Sequence, residues 1–128
     1  MKEKKHFLIE TDVLIDHLIN ESNSNKSVLE SAMTKGICFT TVINSAELYF
    51  SVSDDYEKEE VNKVMRSLKV LGLNSRYSLN ISDFFNKVAT VRDALICSVA
   101  KNNNLPILTW EIEQYKNSGL IIIRPEQL

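Results

Sequence analysis

Cysteine and histidine are scarce in this chain of 128 residues, with two of each, and the scarcity closes off several chemistries. Cys38 and Cys97 sit inside the apolar runs GICFTT and ALICSVA, away from any CxxC spacing. They read as small buried hydrophobes in a reducing compartment rather than as a disulfide. With only His6 and His17 beside them, a zinc site lacks ligands at usable spacing. No apolar run reaches the roughly 18 residues that a membrane span needs. The charged start MKEKKHFLIE holds no apolar core of signal-peptide length. A cytoplasmic protein, with no membrane involvement, is expected. Basic charge is not in excess either: the net charge is −2. Broad electrostatic capture of nucleic acid is thereby excluded, although a local basic face can coexist with an acidic site. Repeats are missing, and the only low-complexity tract is the short run NESNSNKS.

What remains is an ordinary globular composition, 44% apolar and 25% charged, long enough to bury roughly two-thirds of its unfolded surface. One domain over 1–128 is expected. His6 to Ile9 reads as a strand, followed by a helix from Val13 to Ile19 with Asp12 as its cap and Leu14, Ile15, Leu18 and Ile19 on its apolar face. A loop at 20–25 leads to a second amphipathic helix around Val28 to Met33. Gly36 stands where a left-handed helix end is wanted. Ile37 to Thr41 is a second strand, then a helix capped by Asn44. A long helix follows from Tyr56 to Leu71, with Val61, Val64, Met65, Leu68 and Leu71 at helical spacing. A polar edge segment at Tyr77 to Asn80 precedes a helix capped by Ser82 and running through Phe84, Phe85 and Val88. DALICSVAKNNN, apolar almost all round, is a central buried helix. PILTW is a strand, Glu111 to Asn117 a short helix, and LIIIR a last strand closed by Pro125. Alternating strands and helices imply an α/β fold whose mostly parallel sheet of four to five strands is covered on both faces.

In such sheets, sites form at the carboxyl ends of strands. Glu10 and Asp12 follow the first strand and Glu111 follows ILT, while Glu47 in NSAEL and Asp93 in TVRDAL open helices. Four or five converging acids with no base nearby would repel one another. A divalent cation removes that conflict, and hard oxygen ligands select Mg²⁺ or Mn²⁺, which can polarise a phosphodiester and orient water. Each acid also has a plainer role: Asn44 with Glu47, and Thr90 with Asp93, resemble capping boxes. Asp12 reads as a helix cap and Glu111 as an ordinary first-turn acid. Only their joint placement in a βαβ pattern raises the functional reading above these. Lys58, Lys63, Arg66 and Lys69 lie on one long helix and either guide phosphates or form a solvated face. Arg92 is a phosphate contact or a local counter-ion, and Trp110 either stacks on a base or packs.

FLIETDVLIDHL, TTVINSAEL and VRDALICSVAKNNNLPILTWEIEQY together resemble the PIN domain, in particular the ribonuclease toxins of the VapBC type, over nearly the whole chain. The resemblance implies a three-layer fold and a metal-dependent endoribonuclease that cuts RNA with activated water. It places Glu10, Glu47, Asp93 and Glu111 as catalytic and metal-binding acids, with Asp12 able to assist and Thr11, Thr109 and Arg92 on the substrate side. Glu10 and Glu111 stand where the family usually carries aspartate, each extending the charge by one methylene. The resemblance further implies a small antitoxin partner, whose basic side chain enters the acidic site, and a homodimer. The runner-up is a PIN-fold binding module whose metal site has decayed. A receiver domain lacks its late lysine here, and the Asp-x-Asp phosphatase motif fails at Glu10.

Overall fold

The computed structural model describes residues 5–20 and 26–128; the expected loop at 20–25 falls, Asn20 apart, outside them. The sheet has five strands, all parallel, in the order β3-β2-β1-β4-β5. They are β1 (Lys5–Ile9), β2 (Gly36–Thr41), β3 (Lys69–Leu71), β4 (Ile107–Leu108) and β5 (Ile122–Ile123). The helices are α1 (Thr11–Ile19), α2 (Val28–Lys35), α3 (Val42–Ser51), α4 (Asp55–Arg66), α5 (Ser75–Leu79), α6 (Val91–Asn102) and α7 (Ile112–Tyr115). Strands that alternate with helices can only run parallel if each crossover covers a face, which is why the short strands here are so apolar. Among the described residues, no helix is long and apolar enough to cross a membrane.

The side-chain alternation of β1 divides the core. Phe7 and Ile9 face one way, into a cluster with Val13, Leu14, Leu29, Val61 and Val64. Leu8 faces the other way, towards Phe84, Ile96, Cys97, Ile107 and Tyr115. α6 is buried nearly all round, as its composition demands. Both cysteines are buried and free, and burial pushes their thiols up to about 11 for Cys38 and about 12 for Cys97.

Several boundaries differ from expectation for local physical reasons. α1 begins earlier, at Thr11, and its cap is Glu10, which accepts the Thr11 N–H; Asp12 lies inside the first turn. Gly36 is extended rather than left-handed. Glycine is required there by space, because a Cβ would sit 2.1 Å from the Lys5 carbonyl oxygen of the paired strand. The α3 cap is Thr41, and Asn44 completes its capping box from the third helical position. The Tyr56–Leu71 periodicity spans two elements: α4 stops at Arg66 and the edge strand β3 follows. Lys69 therefore lies on a strand. Residues 77–79 of the expected polar edge belong to the helix α5, with Asn80 as its C-cap. The segment expected to form a helix from Ser82 is a 3-10 turn, Ile81–Phe84, and Asn86 adopts a φ of 61° soon after, which a helix does not tolerate.

Candidate functional site

The strand order reverses at β1: the chain goes one way to β2 and β3, then the other to β4 and β5. A crevice opens at the carboxyl ends where such a reversal occurs, and here β1 delivers Glu10 to it. Glu10 is 4% exposed yet its carboxylate is fully partnered. Oε1 accepts from the Thr11 N–H at 3.1 Å, Asn44 Nδ2 at 2.7 Å and Arg92 Nη2 at 2.7 Å. Oε2 accepts from Arg92 Nη1 at 2.7 Å and the Tyr115 hydroxyl at 2.7 Å. Asn44 is itself held by accepting from the Thr41 N–H and hydroxyl at 3.1 and 2.7 Å.

Arg92, in the first turn of α6, stands at the centre. Its Nε and Nη2 donate to the two oxygens of Glu47 at 3.2 and 2.7 Å, and its Nη1 donates to Asp93 Oδ1 at 3.1 Å. Asp93 also accepts from Gln114 Nε2 at 2.5 Å, while the Thr11 hydroxyl donates to Glu47 at 2.7 Å. Burial raises the Glu10 carboxyl, but the hydrogen bonds and charge of Arg92, aided by Tyr115 and the Thr11 N–H, hold it below its ordinary value of 4.5. Burial opposes the charged form of Arg92, yet Glu10 and Glu47 push its pKa up further. Burial and the Glu10 charge likewise push the Tyr115 phenol up, so it stays a hydroxyl donor.

The sequence-derived acids divide into three groups. Glu10, Glu47 and Asp93 converge; the capping role weighed for Glu47 does not hold, since Asn44 closes the α3 box itself. Half of the Thr90–Asp93 box is present, with Thr90 Oγ1 accepting the Asp93 N–H at 3.0 Å. Asp12 turns aside: Oδ2 accepts from the Thr109 hydroxyl and the Trp110 N–H, both at 2.9 Å, and Oδ1 from the Val13 N–H at 2.9 Å. It ties the β1–α1 corner to the end of β4. Its carboxyl is raised above the ordinary 3.8, by burial first and then against the bonds from Trp110 and Thr109, with the Glu10 charge adding to the rise. Glu111, at the N-cap of α7, is exposed and its carboxylate makes no hydrogen bond or ion pair among the described residues. Of the basic helix face, Lys63 pairs with Glu60 and Arg66 with Glu59.

Because Asp12 acts as a brace, Asp12→Asn should cost about 1 kcal/mol, since one oxygen can still serve Thr109 and Trp110. Asp12→Ala should cost about 3 kcal/mol by stranding three donors. Urea denaturation of both variants checks this, and equal losses would show that the brace is not what Asp12 supplies.

Of the two roles weighed for Arg92, the structure shows the counter-ion, which compensates the converging acids. Sequence reasoning weighed Arg92 as a counter-ion but missed Asn44 and Tyr115 as site residues. A tyrosine destined for a core needs a partner for its hydroxyl, and that was the available signal for Tyr115. As arranged, the pocket does not fit Mg²⁺ or Mn²⁺. Such ions need several free oxygens in near-octahedral order, and both oxygens of Glu10 and of Glu47 are already turned on the guanidinium. Among the described residues, no three of His, Cys, Asp and Glu stand so as to hold an ion.

An all-parallel sheet with carboxylates gathered at its topological switch point defines the class of α/β proteins that build their sites at strand ends. Within that class the chain belongs to the PIN-domain family, whose model matches residues 7–118. No curated protein sequence matches it. Among solved structures, it is similar to DNA-bound VapBC from Salmonella typhimurium, at 15% identity and a TM-score of 0.79, covering 94% of this chain and 98% of that one. A toxin–antitoxin complex from Klebsiella pneumoniae is similar at 13% identity and a TM-score of 0.76, covering 95% and 99%. VapBC2 from Rickettsia felis, bound to a promoter fragment, is similar at 16% and 0.75, covering 93% and 98%.

Proposed function

We propose that this chain is the toxin of a VapBC-type toxin–antitoxin pair, an endoribonuclease of the cytoplasm whose chemistry belongs to the pocket of Glu10, Glu47 and Asp93. The observation that carries the reading is the convergence of carboxylates from β1, α3 and α6, distant in sequence, on one guanidinium. PIN domains of the VapC toxins are generally nucleases that use divalent metals. On this reading Mg²⁺ or Mn²⁺ is recruited only once Arg92 has left, and Glu111 and Asp12 are not ligands in the arrangement described above. Thr11, which donates to Glu47, stands at the pocket on the substrate side, whereas Thr109 and the Trp110 N–H are occupied with Asp12.

The antitoxin partner has support in an apolar groove of about 550 Å³ between α1, α3 and α4. Ile15, Ile19 and Tyr56 are exposed along it, with Glu57 and Glu60 at its edge. That composition suits an apolar helix carrying basic residues. Exposed Phe85 and Val91, which line a common groove, support a homodimer.

The test is RNA cleavage with Mn²⁺ by Arg92→Gln, alone and combined with Glu47→Gln or Asp93→Asn. Arg92→Gln should cleave, and each double variant should lose about a hundredfold or more in rate while keeping its circular dichroism. Double variants as fast as Arg92→Gln would refute the site. A second reading, a PIN-fold binding module without hydrolysis, is favoured by the two-pronged grip of Arg92 on Glu10; parent and Arg92→Gln both inert with Mn²⁺ would support it.

A further inference from the structure

Arg92 does more than neutralise a neighbour. Its five N–H bonds are all used: Nη1 and Nη2 grip the two oxygens of Glu10, Nε and Nη2 grip the two oxygens of Glu47, and the remaining Nη1 proton is shared by Asp93 and the Tyr115 oxygen. Two carboxylates are thus held as forks on a single planar cation, the geometry for which guanidinium is better suited than ammonium. A cation in the first turn of a helix sits against the positive end of the dipole, so α6 alone would not hold it there; the acids do.

We infer that Arg92 is a built-in occupant of the acid pocket, a latch that competes with a divalent cation for the same carboxylate oxygens. The inference rests on the nuclease site proposed above. Three acids and one guanidinium leave a charge of −2 in the pocket, and a divalent ion added beside Arg92 would find no free oxygen on Glu10. With Arg92 withdrawn the acids alone carry −3, and Glu10 is buried with only the neutral donors of Thr11, Asn44 and Tyr115 left to it, so another cation is then strongly favoured. The two occupants therefore exclude each other. The way out is toward solvent: the side chain of Arg92 is 27% exposed and that of Glu47 41%, so the latch can open without unpacking the core.

Mn²⁺ titration by calorimetry and by electron paramagnetic resonance, on the parent, Arg92→Gln and Arg92→Lys, tests this, together with melting curves in EDTA and in Mn²⁺. Arg92→Gln should bind Mn²⁺ at least tenfold more tightly than the parent and should melt higher in Mn²⁺ than in EDTA. The parent should melt at the same temperature in both. Lysine keeps the charge but not the fork, so Arg92→Lys should fall between them, and it decides the matter if the glutamine variant does not fold. Equal affinity in parent and variants, or no binding in any, overturns the latch. An RNA-cleavage assay on the same samples separates the two ideas. Mn²⁺ binding gained without cleavage keeps the latch and refutes the nuclease. Cleavage and binding that are the same with and without Arg92 keep the nuclease and refute the latch.

Discussion

Arg92→Ala is expected to lower stability by about 3 kcal/mol at neutral pH, because it leaves Glu10 ionised and buried without its counter-ion. For a domain of this size that is a fall in Tm of about 10 °C. The pH dependence gives the sharper test. In the parent, burial raises the Glu10 carboxyl but Arg92 overrides it, so the folded value lies below the ordinary 4.5. A depressed carboxyl contributes stability above its unfolded pKa and loses it as pH falls through the folded one. The parent should therefore weaken below pH 4.5. In Arg92→Ala burial dominates, the sign reverses, and acidification relieves the stranded charge. Asp12, whose carboxyl is raised, is common to both proteins and cancels from the difference. The gap between parent and variant should thus close between neutral pH and about pH 3.5. Denaturant midpoints at the two pH values measure it, and a gap that widens in acid would contradict the pairing.

Tyr115→Ala should be more damaging still, at about 4 kcal/mol, since Tyr115 is fully buried between α6 and the sheet and its removal opens a large cavity. Tyr115→Phe keeps the ring and loses only the hydroxyl that donates to Glu10 and accepts from Arg92. It should cost about 1.5 kcal/mol. Urea unfolding of the pair divides ring from hydroxyl. A phenylalanine variant as stable as the parent would mean that the hydroxyl contributes nothing to holding Glu10.

The parallel α/β architecture and three of the proposed acids were legible because they rest on strong local signals. The short apolar runs FLI and PIL, bounded by polar residues and proline, read as buried strands, and the longer DALICSVA, apolar almost all round, reads as a buried helix. Glu10, Glu47 and Asp93 were reached by their position at element ends. Glu111 and Asp12 have equally good sequence positions, and nothing local tells that one points to solvent and the other braces Trp110. β3 escaped because KVL continues the helical spacing of α4, and three edge residues carry too little pattern to interrupt it. Gly36 was assigned to a helix end on propensity, whereas the reason for glycine is a carbonyl on a different strand. The role of Arg92 depends on side chains 45 and 82 residues before it, information that spacing does not contain.

The position of β1 between β2 and β4 has a consequence for synthesis. Leu8 pairs with Ile107, roughly a hundred residues later, so one side of the central strand waits for a distant segment. A nascent chain carries Glu10 long before it acquires Arg92 and then Tyr115. Until then one flank of β1 has no neighbour and its apolar side chains lack half their cover, a state in which chains are prone to aggregate and are met by chaperones. The chemistry of the pocket is in this way deferred until the segment that bears Arg92 and Tyr115 has been made and has docked on β1.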